Sequence, residues 1–145
     1  MTILAAVDGD VTEDNVVTVG ADMADAYDDD LTVINVLSQE DFDDRQADRA
    51  DSDIEYFVDD GIADAAKVAA EVVEGTVEKP GRIDAKGRVG DVTEELLDEA
   101  ARQDARYLVI GGRKRTPVGK ALFGSTTQSI LLSAELPVVV VMSDP

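Results

Sequence analysis

Glycine, hydroxyl and cationic side chains gather in one stretch of this chain. Gly111 and Gly112 follow the apolar run Tyr107–Ile110. Arg113, Lys114, Arg115 and Lys120 come next, and Gly124, Ser125 and Thr126 open a further apolar segment. Glycines let backbone N–H groups approach an anion, a helix N-terminus carries partial positive charge, and hydroxyls donate hydrogen bonds. Residue types in this order suit phosphate. Charge placement agrees: the chain holds 32 Asp+Glu against 13 Lys+Arg, yet no acidic residue lies between Asp104 and Glu135. Local spacing also leaves a plainer reading open, in which Gly111-Gly112 only make a turn and Gly124-Ser125 only cap a helix. The pattern is not a Walker P-loop, because no Gly-Lys-Ser/Thr follows the strand at the required spacing.

The chain has no His and no Cys. That removes the commonest general base, the thiolate nucleophile, disulfides and the usual transition-metal ligands. A bound metal would be a hard cation on oxygen ligands, Mg²⁺ above all. Asp8 ends the first apolar run, where a carboxylate either caps the following turn or faces a ligand.

Elements that could position these residues follow from periodicity. Thr2–Val7, Leu31–Leu37, Ile83–Val89, Tyr107–Ile110 and Pro137–Met142 read as strands, the third weak and with Gly87 as a candidate bulge. Between the first two, Asp10 and Glu13 have capping-box spacing, and a helix runs to about Tyr27 with Val16, Val17, Val19, Gly20, Met23, Ala24 and Tyr27 on one stripe. Ser38–Asp53 is polar, acidic and without period, and reads as a loop. Ile54–Val73 reads as a helix whose stripe includes Ile54, Phe57 and Val58. Asp91 and Glu94 repeat the capping-box spacing before a helix that turns Leu96, Leu97, Ala100 and Ala101 inward. Gly111–Phe123 reads as a long loop and Ser125–Ser133 as the last helix. Alternating strands and helices over 145 residues predict a single α/β domain, residues 1–145, with a parallel sheet covered on both faces. Ligands of such sheets bind beyond the carboxyl ends of the strands, where strand order reverses. Asp8–Asp10, Ser38–Asp41, Gly90-Asp91 and Gly111–Ser125 all fall there.

At this point a resemblance becomes specific. Gly111-x2-Lys114-x9-Gly124-Ser125 resembles the nucleotide motif of the universal stress protein family, G-x2-G-x9-G-[ST]. The apolar strand ending in Ile110-Gly111, the segment Leu136–Val140, the opening Ile3–Gly9, the run Ile34-Asn35-Val36 and the segment Gly87–Asp91 resemble that family too. The resemblance covers essentially the whole chain. It implies a doubly wound five-stranded sheet in the order 3-2-1-4-5, adenine nucleotide alpha hydrolase-like, and a homodimer through the terminal strand Val138–Met142. It also implies ATP with Mg²⁺ carried on the phosphates. Carried over by position, Ala6, Val7 and Asp8 would lie beside the ribose and phosphates, Val36 against adenine, and Ile110, Gly111 and Gly112 under the ribose. Gly124, Ser125 and Thr126 would bind phosphate. Lys114 stands where the motif has its second glycine: it either blocks ATP or supplies an ammonium to the phosphates. The resemblance therefore implies an ATP-binding dimeric stress sensor or regulator, with at most slow hydrolysis. The alternative is a nucleotide-free member acting as a dimeric interaction module, and a weaker one is a cyclic nucleotide in the same cleft. Asp10, where the family commonly has Ser, places an extra carboxylate near the phosphates.

The apolar start Thr2–Val7 is too short for a signal peptide, and no apolar run reaches the length of a membrane span, so the expected place is the cytoplasm. The acids are dispersed and Asp-rich, which resembles the proteins of salt-loving archaea; a dispersed charge is a solvated surface before it is a docking patch for a basic partner. Duplex nucleic acid is a poor partner for a net charge of −19. Self-repulsion at that charge is screened by salt. The melting temperature should therefore rise as KCl is raised from about 0.1 M to about 2 M. A melting curve that stays flat or falls over that range would contradict the argument.

Overall fold

Apolar side chains alternate along the central strands, and the two sets bury on opposite sides of one sheet. Ile3 and Ala5, Leu31 and Val33, and Val109 pack with Val16, Val17, Ala69 and Val72 on one side. Leu4, Ile34, Leu108 and Ile110 pack with Leu96, Ala100 and Ile130 on the other. Period-two alternation with both faces apolar is what a covered parallel sheet requires. The computed structural model describes residues 1–8, 15–50, 54–77, 82–113 and 124–143. In chain order the elements are β1 (Thr2–Ala6), α1 (Asn15–Tyr27), β2 (Asp30–Ser38), α2 (Gln39–Asp48), α3 (Val58–Thr76), β3 (Ile83–Gly90), α4 (Val92–Arg102), β4 (Ala105–Arg113), α5 (Ser125–Ser133) and β5 (Val138–Ser143). All strand pairs are parallel, in the order β3-β2-β1-β4-β5. This is the adenine nucleotide alpha hydrolase-like arrangement. Among the described residues no helix is long and apolar enough to cross a membrane.

Register explains where the fold opens. β1 pairs with β2 only as far as Ala6↔Ile34 and with β4 only as far as Ala5↔Val109. Its neighbours continue: β2 stays paired with β3 to Ser38↔Gly90, and β4 with β5 to Arg113↔Ser143. The central strand stops short, and a gap is left between two strand pairs that run on without it.

Several expectations are corrected. Ser38 to Asp48 is not a loop. Ser38 Oγ accepts from Asp41 N at 3.1 Å and caps α2, whose first turn carries Glu40 and Asp41 and whose last carries Arg45. Only Phe42 of this helix is buried, so it has no apolar period to detect. The following helix starts at Val58 rather than Ile54. Ile54 and Phe57 precede it and are exposed, and Asp60 Oδ2 accepts from Phe57 N at 2.9 Å to close its first turn. Gly87 is not a bulge, because β2–β3 register runs unbroken through Asn35↔Gly87. A Cβ there would lie 2.2 Å from Ile62 O and 2.3 Å from Ala66 N, so glycine is required for the backbone of α3 to approach β3. Gly61 has a similar cause, with Phe42 and Val89 both 2.9 Å from a hypothetical Cβ. Gly111 and Gly112 are not a turn after β4; they are strand residues paired with Val141 and Met142. On α4, Ala101 faces solvent and Glu99 is buried in its stead. The capping box at Asp10 and Glu13, and Arg115 and Lys120, lie outside the described residues.

Glu99 is 1% exposed and fully partnered. Its Oε1 accepts from Lys86 Nζ at 3.1 Å and Gln103 Nε2 at 2.7 Å. Its Oε2 accepts from Arg88 Nη2 at 2.6 Å and Arg102 Nη1 at 3.2 Å. Gln103 Oε1 in turn accepts from Thr32 Oγ1 at 2.9 Å, so one carboxylate ties α4 to β3 and, through Gln103, to β2. Burial pushes the Glu99 carboxyl up, but the hydrogen bonds from Gln103 and Lys86 and the charges of Lys86 and Arg88 outweigh it and hold the group below its ordinary value. At the opposite end of the sheet, buried Asp29 accepts from Arg106 Nε at 2.7 Å and lies 3.4 Å from the Met1 amino group. The Arg106 hydrogen bond holds that carboxyl low as well.

A carboxyl with a lowered folded pKa contributes stability above its unfolded value and loses it as pH falls through the folded one. For Glu99 the loss should begin below about 4.5, its ordinary value. Glu99→Gln should cost about 2–3 kcal/mol at neutral pH, discounted because Lys86 and Arg102 are half in solvent. The variant should then show a shallower decline of stability below that pH than the parent chain. Urea melts at a series of pH values read both quantities.

Candidate functional site

The gap beyond β1 is a cleft of about 750 Å³. The end of β1 and the residues after it supply Ala6, Val7 and Asp8. Two bonds hold this segment beyond the last β1–β2 pair: Val7 N donates to Ile34 O at 2.9 Å, and Asn35 Nδ2 donates to Val7 O at 2.9 Å. Asn35 is 7% exposed in an otherwise apolar strand, and this bond is its structural reason. β2 also supplies Val36, β4 supplies Ile110, Gly111 and Gly112, and α5 supplies Ser125 and Thr126, with Gly124 as its N-cap. Ten of the eleven site residues expected from sequence thus line one cleft. The eleventh, Lys114, lies outside the described residues.

Four helices start around this mouth; what precedes α1 lies outside the described residues, and the other three are closed differently. α2 is capped by Ser38 Oγ, and α4 by Asp91 Oδ1, which accepts from Glu94 N at 2.9 Å. α5 begins at Gly124, which has no side chain to cap it. Its first N–H groups and positive dipole end face the cleft. Thr127 Oγ1 donates to Gly111 O at 3.4 Å and joins the first turn of α5 to β4. A smaller hollow adjoins, lined by Ser38–Glu40, Gly90–Thr93 and Thr126, so the starts of α2 and α5 approach each other across the mouth.

Gly111 differs from Gly61 and Gly87. A Cβ built on it meets only Val16 Cγ2, at 3.4 Å, an ordinary contact. No packing within the described residues demands glycine there; the free space belongs to the cleft.

Asp41, within the Ser38–Asp41 segment expected there, also lines the cleft, and residues not expected from sequence join it: Asn15, Asn35, Arg45 and Thr127 among them. Asn35 had a signal, a lone amide in the apolar run Leu31–Leu37. Arg45 had none, because its helix has no apolar stripe. Among the described lining residues the charged ones are Asp8, Asp41 and Arg45. No three acidic side chains converge as a metal cage among the described residues.

The family model of the universal stress proteins matches residues 1–142. The chain belongs to the universal stress protein family. A universal stress protein of Mycolicibacterium smegmatis is 53% identical over 51 residues, covering 35% of this chain and 39% of that protein. Among solved structures, a universal stress protein of Archaeoglobus fulgidus is similar over 97% of both chains, with 26% identity and a TM-score of 0.65. Two more share the fold. One is a universal stress protein in complex with cAMP, at 19% identity and a TM-score of 0.63 over 98% of this chain and 96% of that one. The other is a universal stress protein from Archaeoglobus fulgidus in complex with dAMP, at 19% identity and a TM-score of 0.54 over 97% and 96%.

Proposed function

We propose that this universal stress protein binds an adenine nucleotide, ATP with Mg²⁺ foremost, and acts as a cytoplasmic dimeric sensor or regulator with at most slow hydrolysis. The observation that carries the reading is the start of α5 at Gly124, which no described side chain caps, opening onto the cleft while the neighbouring helices α2 and α4 are closed by their own caps. A phosphate is the natural acceptor for those N–H groups. The base would rest on Val36, with Ala6, Val7 and Asp8 beside the ribose and phosphates, Ile110, Gly111 and Gly112 beneath the ribose, and Ser125 and Thr126 adding hydroxyls. Mg²⁺ would arrive with the phosphates rather than be held by a protein cage. Fold relatives in complex with cAMP and dAMP support the adenine class. With no His or Cys, the residues on hand bind and orient far better than they move protons.

The dimer would form along β5. This strand ends the sheet and carries Val138–Met142 without a charge. Beside it, α5 leaves Leu132 87% exposed. Lys114, in place of the motif's second glycine, favours the second reading, a nucleotide-free dimeric interaction module.

Denaturing the purified protein, filtering it and analysing the filtrate by mass spectrometry should release an adenine nucleotide. The stripped protein should then take up ATP with Mg²⁺ on titration in about 1 M KCl. An empty filtrate together with no heat up to about 1 mM ATP, a weak-binding limit, removes the first reading. Gly111→Ala separates folding from binding. Stability should stay within about 0.5 kcal/mol of the parent, while affinity falls at least about tenfold because the added methyl occupies ligand space.

A further inference from the structure

Arg45 is the one cation among the described residues that line the cleft, in a chain where acids outnumber bases 32 to 13. It lies on the same face of α2 as Asp41, one turn earlier, and Ser38, the cap; all three line the cleft. An Asp–Arg pair at this spacing commonly forms an ion pair along the helix. Here Arg45 instead reaches across to α3, with Nη1 3.2 Å from Asp64 Oδ2 and 3.5 Å from Tyr56 Oη. Those two partners do not depend on it. Tyr56 Oη donates to Asp64 Oδ2 at 2.6 Å, the tightest bond of the group. The Arg45 and Asp64 side chains are 44% and 42% exposed, so the pair between them is screened and weak. If the guanidinium leaves, Asp64 keeps its hydroxyl donor and its contact with water, and no buried charge is stranded.

From this geometry we infer that Arg45 is a ligand-binding residue, which exchanges Asp64 for the anionic group of the molecule in the cleft. The inference rests on the reading of the cleft as a nucleotide site. It adds a phosphate contact from α2, on the wall opposite the start of α5. Arg45 lines the same cleft as Gly124, Ser125 and Thr126, and the starts of α2 and α5 line one adjoining hollow. An anion drawn from water into a site with Asp8 and Asp41 needs a compensating charge, and a charge-assisted guanidinium–phosphate bond is among the stronger ones available. Asp64 then acts as a competitor that holds the guanidinium when the cleft is empty of anion.

The test is a set of titrations with adenosine, AMP and ATP on the stripped chain, with Mg²⁺ present. Arg45→Gln should weaken ATP and AMP by about tenfold, and adenosine hardly at all. Asp64→Asn should act in the opposite direction and tighten ATP by about threefold, since a competing surface pair is removed. The double variant should behave as Arg45→Gln alone. A structural role for the pair predicts that both single variants weaken binding, for adenosine as much as for ATP. That result, or unchanged ATP affinity in Arg45→Gln, overturns the proposal while leaving the nucleotide reading intact. A parent chain that binds none of the three compounds overturns both.

Discussion

Everything at the mouth of this molecule follows from the shortness of its central strand. β1 is five residues long and must pair on both sides, with β2 leaving in one direction and β4 in the other. Because β1 ends at Ala6, the flanking strand pairs continue with nothing between them. The chain after each long strand turns back as a helix beside that gap. Four helix starts consequently collect at one place, and for α2, α4 and α5 the cap decides which remains available. The site is thus a by-product of strand length and crossover direction before any side chain is considered.

Charge is allocated with the same economy. Of 13 cationic side chains, Lys86, Arg88 and Arg102 converge on Glu99, and Arg106 is spent on Asp29. A buried carboxylate in a chain of net charge −19 would be untenable without such partners. Glu99 and Asp29 hold different elements: one fixes α4 over β3 and β2, the other joins the N-terminus to β4. Arg45 differs from these four, because its partner Asp64 is half in solvent rather than buried.

Much of the fold was legible in the sequence because a covered parallel sheet writes itself as apolar runs. All five strands were readable in that way; their order, and ten of the residues that line the cleft, came from the family resemblance. α2 was not, since a helix anchored by Phe42 alone has no stripe and its ten residues are otherwise polar. Arg45 was hidden with it. Ile54 and Phe57 misled in the opposite sense, as apolar residues at helical spacing that lie outside the helix and in solvent. Gly87 and Gly111 look alike in sequence, as glycines in strand context. Only their surroundings separate them: at one the backbone of α3 fills the space of a Cβ, and at the other, among the described residues, only Val16 comes into ordinary contact.

The two borders of the sheet are unlike. β3 alternates Asp84, Lys86 and Arg88 along its length, and α3 lies against its backbone at Gly87. β5 presents Val138–Met142, with no charge at all. Charged borders resist addition of another strand, and apolar ones accept it. A sheet with a single receptive border cannot be extended at both ends. Growth by strand addition would stop after one event, so its geometry admits a closed pair and forbids a fibre.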